Sequence, residues 1–314
     1  MNTQRFFTHP FGVLASALFA TFLWGSAFPF IKLSYAALNI GPQEIGEQML
    51  FAGYRFFLAG LIIVLFFTLL GKKMTFQPQT VGTVVKIGLF QTFLQYVCFY
   101  IGLSYSTGIQ GAIISGSSSF FQILIAHFYY KDDGLNVRKA VGLLIGFTGV
   151  VIVNLTKGHL ELNFGIGEFL LLMAAFIYSY GNILAKEGSR TIEVGYLTAY
   201  QMIFGSLGLL VLGIVQVGAM PFSFDLNTML MLLYLSFLSA AGFLVWNTVM
   251  KYNKVGKVSM YMFLIPVFGV MLSSLILGEE IHSLVLVGLA CVAAGIVIVN
   301  RTPREKAVQV KKIS

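Results

Sequence analysis

Ten runs of mainly apolar residues follow one another through this 314-residue chain: 11–32, 48–70, 84–103, 108–130, 138–155, 166–186, 194–217, 228–250, 256–277 and 282–300. Each is close to the roughly 20 residues that a helix needs to cross the hydrocarbon of a bilayer. The links are short and rich in Gly, Pro, Asn and Lys, leaving no room between runs for a soluble domain. Charged residues make up 10% of the chain, against about 25% in a soluble domain. With 57% hydrophobic residues and a mean hydropathy of +0.85, the expected solvent is lipid. Backbone in lipid must satisfy its own hydrogen bonds, and runs of this length do so as helices. The expected fold is all-α, a polytopic membrane protein of ten transmembrane helices.

The net charge of +8 is read as a topology signal. If the N-terminus is cytoplasmic, 17 of the 20 basic residues, from Arg5 and Lys72 to Lys311 and Lys312, lie inside. Lys32 and Lys157 lie outside, and Arg55 falls within a span. Basic residues resist translocation, so both termini are expected in the cytoplasm, with no nucleic-acid partner. Arg5 ahead of an apolar run looks like a signal peptide, but the first helix has a partner later in the chain, which argues against cleavage. Cys98 and Cys291 both fall in apolar runs and read as buried free thiols.

That partner appears when the chain is compared with itself. Shifted by 146 residues, 141–154 matches 287–300 at eight of fourteen positions, ending in VIVN both times. The same shift sets Asp133 against Glu279, Tyr100 against Trp246 and Arg55 against Gln201. A shift of 154 sets 20–32 against 174–186, with Trp24 facing Tyr178 and Lys32 facing Lys186. The unit holds five spans, an odd number, so its second copy enters the membrane from the opposite side. Residues 1–155 are therefore expected to form one five-helix repeat. Residues 156–314 form its inverted copy, with a short cytoplasmic tail. A site between inverted copies can be exposed to either side by equivalent movements, as alternating access requires.

Trp24-Gly25 in helix 1, Arg55 within YRF of helix 2, Pro266 followed by LGEE in helix 9 and the ending GLACVAAGIVIVN together resemble the EamA-type members of the drug/metabolite transporter superfamily, over about residues 11–301. The resemblance implies a ten-helix transporter in which helices 1–4 and 6–9 surround a central cavity and helices 5 and 10 support it. Many such members export amino acids and other small metabolites. The chain departs from the family pattern in helix 4, where Phe120 stands at the position of a common proline.

Arg55 is the leading candidate for substrate binding. With helix 2 starting near Gln48, its α-carbon lies about 10 Å below the outer boundary. A charge at that depth faces a cavity or a partner. A guanidinium there pairs bidentately with a carboxylate or phosphate, or else snorkels to the helix end. Trp24, Tyr100, Tyr178 and Trp246 are candidate walls of an amphipathic cavity, with membrane-interface anchoring as the alternative. Ser117, in the SGSSS run of helix 4, offers a hydroxyl or close helix packing. Gln201 and Asn247, with Asn182, offer neutral hydrogen-bonding groups to substrate or to other helices. Gly25, Pro29 and Pro266 are candidate hinge or gate positions, since a proline frees the carbonyl four residues earlier; kinks that only shape packing are the alternative. Gly142 and Gly146 form a GxxxG packing face in helix 5.

Every acidic residue lies near a span end or in a loop, with Glu168 in the first turn of helix 6 and Asp133, Glu279 and Glu280 in loops. Proton antiport and facilitated exchange therefore both stay open as coupling modes. No GxxxxGK[ST] loop is present for ATP drive. His9, His127, His159 and His282 are scattered, so no metal, cofactor or enzyme chemistry is expected. The expected function is a secondary transporter of small metabolites, amino acids or related compounds, in the export direction across the cell membrane, as monomer or homodimer. Transport of nucleosides, sugars, vitamins or drugs is the alternative reading. A membrane-embedded enzyme or a channel is the alternative from another class.

Overall fold

Each apolar run becomes helix, as lipid demands of a chain whose backbone must bond to itself. The computed structural model describes residues 3–106, 114–155, 165–278 and 284–300. The expectations for Lys157, His159, Glu279, Glu280, His282 and the basic tail from Arg301 onward lie outside the described residues. Among the described residues there is no strand. The helices are α1 (Pro10–Leu38), α2 (Ile45–Leu69), α3 (Pro78–Ser104), α4 (Ser118–Tyr129) and α5 (Val137–Leu155). They continue as α6 (Ile166–Gly188), α7 (Val194–Val217), α8 (Leu226–Tyr252), α9 (Val255–Leu277) and α10 (Leu284–Asn300). Seven of them, α1 to α3 and α6 to α9, are long and apolar enough to cross a membrane.

Local chemistry sets the helix ends. Pro10 sits in the first turn of α1, where its missing amide costs nothing. The Glu193 carboxylate accepts from Tyr196 N (3.0 Å) at the start of α7, and Asp225 accepts from Thr228 N (2.8 Å) at the start of α8. α1 runs on to Leu38 because nothing in its last turns breaks it; Asn39, at φ 57°, turns the chain away. α2 begins at Ile45, earlier than expected, which puts Arg55 about 15 Å along its axis instead of about 10 Å. The fourth run is interrupted at Ser117, one turn residue with helix at 114–116 before it and α4 after it, although no proline stands there.

Glycines let particular helices approach closely. α2 and α7 run antiparallel, with Gly46 against Gln216, Gly53 against Leu210, Gly60 against Ile203 and Phe67 against Gly195. At Gly213 an added Cβ would lie 2.6 Å from Leu50 Cβ. α5 and α10 also run antiparallel, Gly142 meeting Val299 and Gly149 meeting the Gly288 carbonyl. These two pack chiefly on each other and touch the bundle through α9 and, at Phe120 and Phe147, through α4. The other large contacts are α1 with α8 and α9, α6 with α3 and α4, α2 with α8, and α7 with α3. Exchanging each helix for the one five places along reproduces this pattern of pairings.

One end of the bundle, called the basic end below, is tied by charge. Lys139 Nζ, largely buried, donates to Asp133 Oδ1 at 2.7 Å and to the Gly134 carbonyl at 2.8 Å. Asp133 Oδ2 accepts from Gly256 N (2.8 Å), capping the start of α9. Lys186 reaches from α6 to the carbonyls of Met250 (2.6 Å) and Asn253 (2.5 Å), capping the end of α8. Lys254 pairs with the exposed Asp132, holding that carboxyl below the usual carboxylate range.

Candidate functional site

Arg55 sits mid-bundle on α2 and is 4% exposed. Its Nε donates to Ser239 Oγ (2.7 Å) and to the Leu235 carbonyl (3.2 Å), both on α8. No carboxylate among the described residues lies within ion-pair distance, and the two terminal nitrogens donate to no described protein group. The guanidinium carbon stands 4.9 Å from the centre of the Phe56 ring. An unpaired cation in such a place is costly, which is why a structure that keeps one has a use for it.

A chain of rings extends from it. Phe56 meets Tyr96 (4.5 Å between centroids) and Phe243 (6.2 Å); Phe243 meets Trp24 (5.2 Å), and Trp24 meets Trp246 (5.6 Å). Tyr96 lies 6.0 Å from Tyr100. Rings from α1, α2, α3 and α8 thus form one linked chain that ends on the cation. Several polar atoms of this region are buried without a hydrogen bond: Trp24 Nε1, Trp246 Nε1, Tyr35 OH and Gln95 Oε1. Tyr35 OH lies beside Tyr100 without a well-formed bond between them. This cluster of rings, with a guanidinium whose terminal nitrogens meet no described protein group, two indole donors and an amide acceptor, is chemically suited to a small molecule carrying a carboxylate and an apolar body.

Ring contacts link Trp24, Tyr100 and Trp246 to Arg55, while Tyr178 is buried on α6. The structure does not bring Ser117, Gln201 or Asn247 into the same group. Ser117 Oγ bonds the Ile114 carbonyl at 2.5 Å within its own turn, because the helix breaks there. Gln201 is buried between α7 and α3, accepting from Thr92 Oγ1 at 2.9 Å, with its Nε2 unpartnered. Asn247 donates to Thr198 Oγ1 (3.0 Å) and accepts from Gln91 Nε2 (3.3 Å). Gly25 is where the two proline-bearing helices cross: a Cβ there would lie 2.5 Å from Phe268 Cβ, between Ile265 and Gly269 and next to Pro266. Pro29 and Pro266 are both buried near this crossing.

Phe56 and Phe243 were not singled out by sequence, since one ring among many apolar residues carries no distinguishing pattern. Tyr96 does stand among the aromatic residues that the sequence places inside spans, and the position of Phe56 next to Arg55 is the signal that marks that ring in retrospect. Among the described residues no group of His, Cys, Asp or Glu could hold a metal ion. A separate cavity of about 260 Å³ lies at the basic end, lined by Lys72, Glu193 and Tyr196 among others, and none of the central rings reaches it. Cys98 and Cys291 are free and only half-buried, more open than expected.

The EamA-like transporter family model matches residues 11–155 and again 165–301. The chain belongs to the EamA-like transporter family. An uncharacterized transporter of Bacillus subtilis (strain 168), YvbV, is 29% identical over 293 residues, covering 90% of this chain and 89% of the relative. The "Probable amino-acid metabolite efflux pump" of Escherichia coli (strain K12) is 24% identical over 302 residues, covering 91% and 93%. A solved crystal structure matches with a TM-score of 0.73 at 16% identity, over 91% of this chain and 95% of that one, a likeness of fold alone. This EamA-family chain is thus a multi-pass membrane protein, and the relatives named here are transporters.

Proposed function

We propose that this EamA-family protein is a secondary transporter of small carboxylate-bearing metabolites, amino acids and related compounds. It would work by alternating access of two inverted five-helix halves, 1–155 and 156–314. Both termini would be cytoplasmic, and transport across the cell membrane would run in the export direction. The observation that carries the substrate reading is Arg55: buried, with no counter-ion and no partner for its terminal nitrogens among the described residues, at the end of a chain of aromatic rings. The two-half reading is supported by the helix pairings, which repeat when each helix is exchanged for its counterpart, and by the antiparallel run of α2 with α7 and α5 with α10. The two separate matches of the family model point the same way. The name of the Escherichia coli relative supports amino-acid metabolites as the first substrates to try.

Counterflow in proteoliposomes tests this function. Vesicles loaded with pooled amino acids receive one labelled amino acid at a time outside. The expected result is transient accumulation of at least one label without ATP or an ion gradient. Absence of accumulation for every carboxylated label, from protein shown to be folded, would overturn the substrate reading. Varying pH across the membrane in the same assay separates proton coupling from facilitated exchange.

A further inference from the structure

Between the Arg55 ring cluster and the basic end, side-chain amides and hydroxyls of six helices join in one buried ladder. Asn247 (α8) donates to Thr198 Oγ1 (α7) at 3.0 Å. Gln91 Nε2 (α3) donates to Asn247 Oδ1 at 3.3 Å and to Asn182 Oδ1 (α6) at 2.7 Å. Asn182 Nδ2 donates to Gln122 Oε1 (α4) at 2.7 Å, and Gln122 Nε2 to Ser259 Oγ (α9) at 2.8 Å. All six side chains are buried, Asn247 at 2% exposure being the most open. Gln91 holds the centre because α3 takes a π-helical turn over Leu89–Leu94, where its backbone also meets Gly181 of α6 closely. Such turns inside α-helices are frequent at functional sites.

The repeat makes this ladder informative. At the shifts that relate the two halves, Gln91, Asn247, Gln122 and Thr198 correspond to Phe237, Ile101, Phe268 and Ala52, and Asn182 corresponds to Phe28. Those counterpart positions are apolar throughout, with Phe28 and Phe237 exposed on the surface of the bundle. Packing alone, the family's fold alone, or the need to satisfy buried amides would not require one end of the bundle to carry every polar member.

We propose that Gln91, Asn182, Gln122 and Asn247 form the gate at the basic end of the transport path, hydrogen-bonded here. This rests on the carrier reading above. Amides separated by entering water exchange one set of hydrogen bonds for another at small net cost. Gln91 Oε1 is buried and unpartnered, an acceptor available when its neighbours part.

The test reads accessibility from each end of the protein in sealed vesicles of both orientations. Cys98 and Cys291 are replaced by Ser, and Tyr178→Cys, on α6 one turn from Asn182 toward the ring cluster, serves as reporter for a membrane-impermeant maleimide. With the ladder intact, labelling from the basic end is expected to be slow. Gln91→Leu is expected to raise that rate about tenfold, the scale of one lost buried hydrogen bond, without a matching rise from the other end. Ser259→Ala, which removes only the last rung, is expected to give a smaller rise and serves if Gln91→Leu fails to fold. Fast labelling from the basic end with the ladder intact, or an unchanged rate in both folded variants, overturns the gate. Counterflow run on parallel vesicles of the protein that keeps Tyr178 separates the two readings: counterflow there with ladder-independent labelling removes the gate and leaves the carrier.

Discussion

Arg55 is kept buried where its charge lowers stability, and the stability of a variant separates that cost from its use. Arg55→Gln, which copies the residue at its counterpart Gln201, removes an unpaired buried cation and keeps a hydrogen-bonding group. Melting temperature is expected to hold or rise, while affinity for carboxylated substrates falls roughly 30–100-fold, the worth of a charge-assisted pair. Scanning fluorimetry and substrate binding measured on the same preparation check both. Asp133 and Lys139 behave oppositely, since their pair is buried and each also bonds backbone. Asp133→Asn alone is expected to cost about 3–5 kcal/mol by leaving a cation uncompensated, and adding Lys139→Met to recover part of it. Denaturant unfolding in detergent reads the difference. Arg55 was legible in the sequence because a charge inside an apolar run stands out. Gln91 was not, because one amide among Leu and Phe shows nothing until the π-helical turn aims it at Asn182 and Asn247.

At the scale of single elements, helix positions were legible because hydropathy alone decides which runs cross lipid. Their ends were less so. The start of α2 at Ile45 and the break at Ser117 depend on neighbouring backbone rather than on residue type, and the break moved Ser117 out of the expected site. The α1–α9 crossing at Gly25 gives a prediction of its own. Gly25→Ala puts a methyl 2.5 Å from Phe268 Cβ, so the helices must part, with an expected loss of about 1–3 kcal/mol. Thermal unfolding of the purified variant measures it, and transport is expected to fall with it. α8 carries a pH-dependent start: hydrogen bonds from Thr228 hold Asp225 below the usual carboxylate range. Because that pKa is lowered in the folded state, the contribution is present above the unfolded value and fades as pH falls through the folded one. Asp225→Asn keeps a capping oxygen without the titration, so its melting temperature is expected to fall less on acidification than that of the parent.

Across the whole molecule, the repeat was the most informative part of the sequence, since helix pairings recur when each helix is exchanged for its counterpart. Arg55 bonds α8 as Gln201 bonds α3. What the repeat did not reveal is where the halves differ, because that depends on which polar groups meet once all the helices are packed. The positive-inside asymmetry predicts that Lys73→Cys at the basic end reacts with impermeant reagents only from the cytoplasm, and Met220→Cys, on the loop before α8, only from outside. The central claim is that Arg55 recognises a substrate carboxylate at the end of the chain of aromatic rings. Competition in counterflow tests it most directly, with a transported amino acid set against its own carboxamide, for the parent protein and for Arg55→Gln. The account predicts that the parent prefers the carboxylate at least about tenfold and that Arg55→Gln loses the preference. Equal competition by acid and amide in the parent, or an unchanged preference in folded Arg55→Gln, would contradict it.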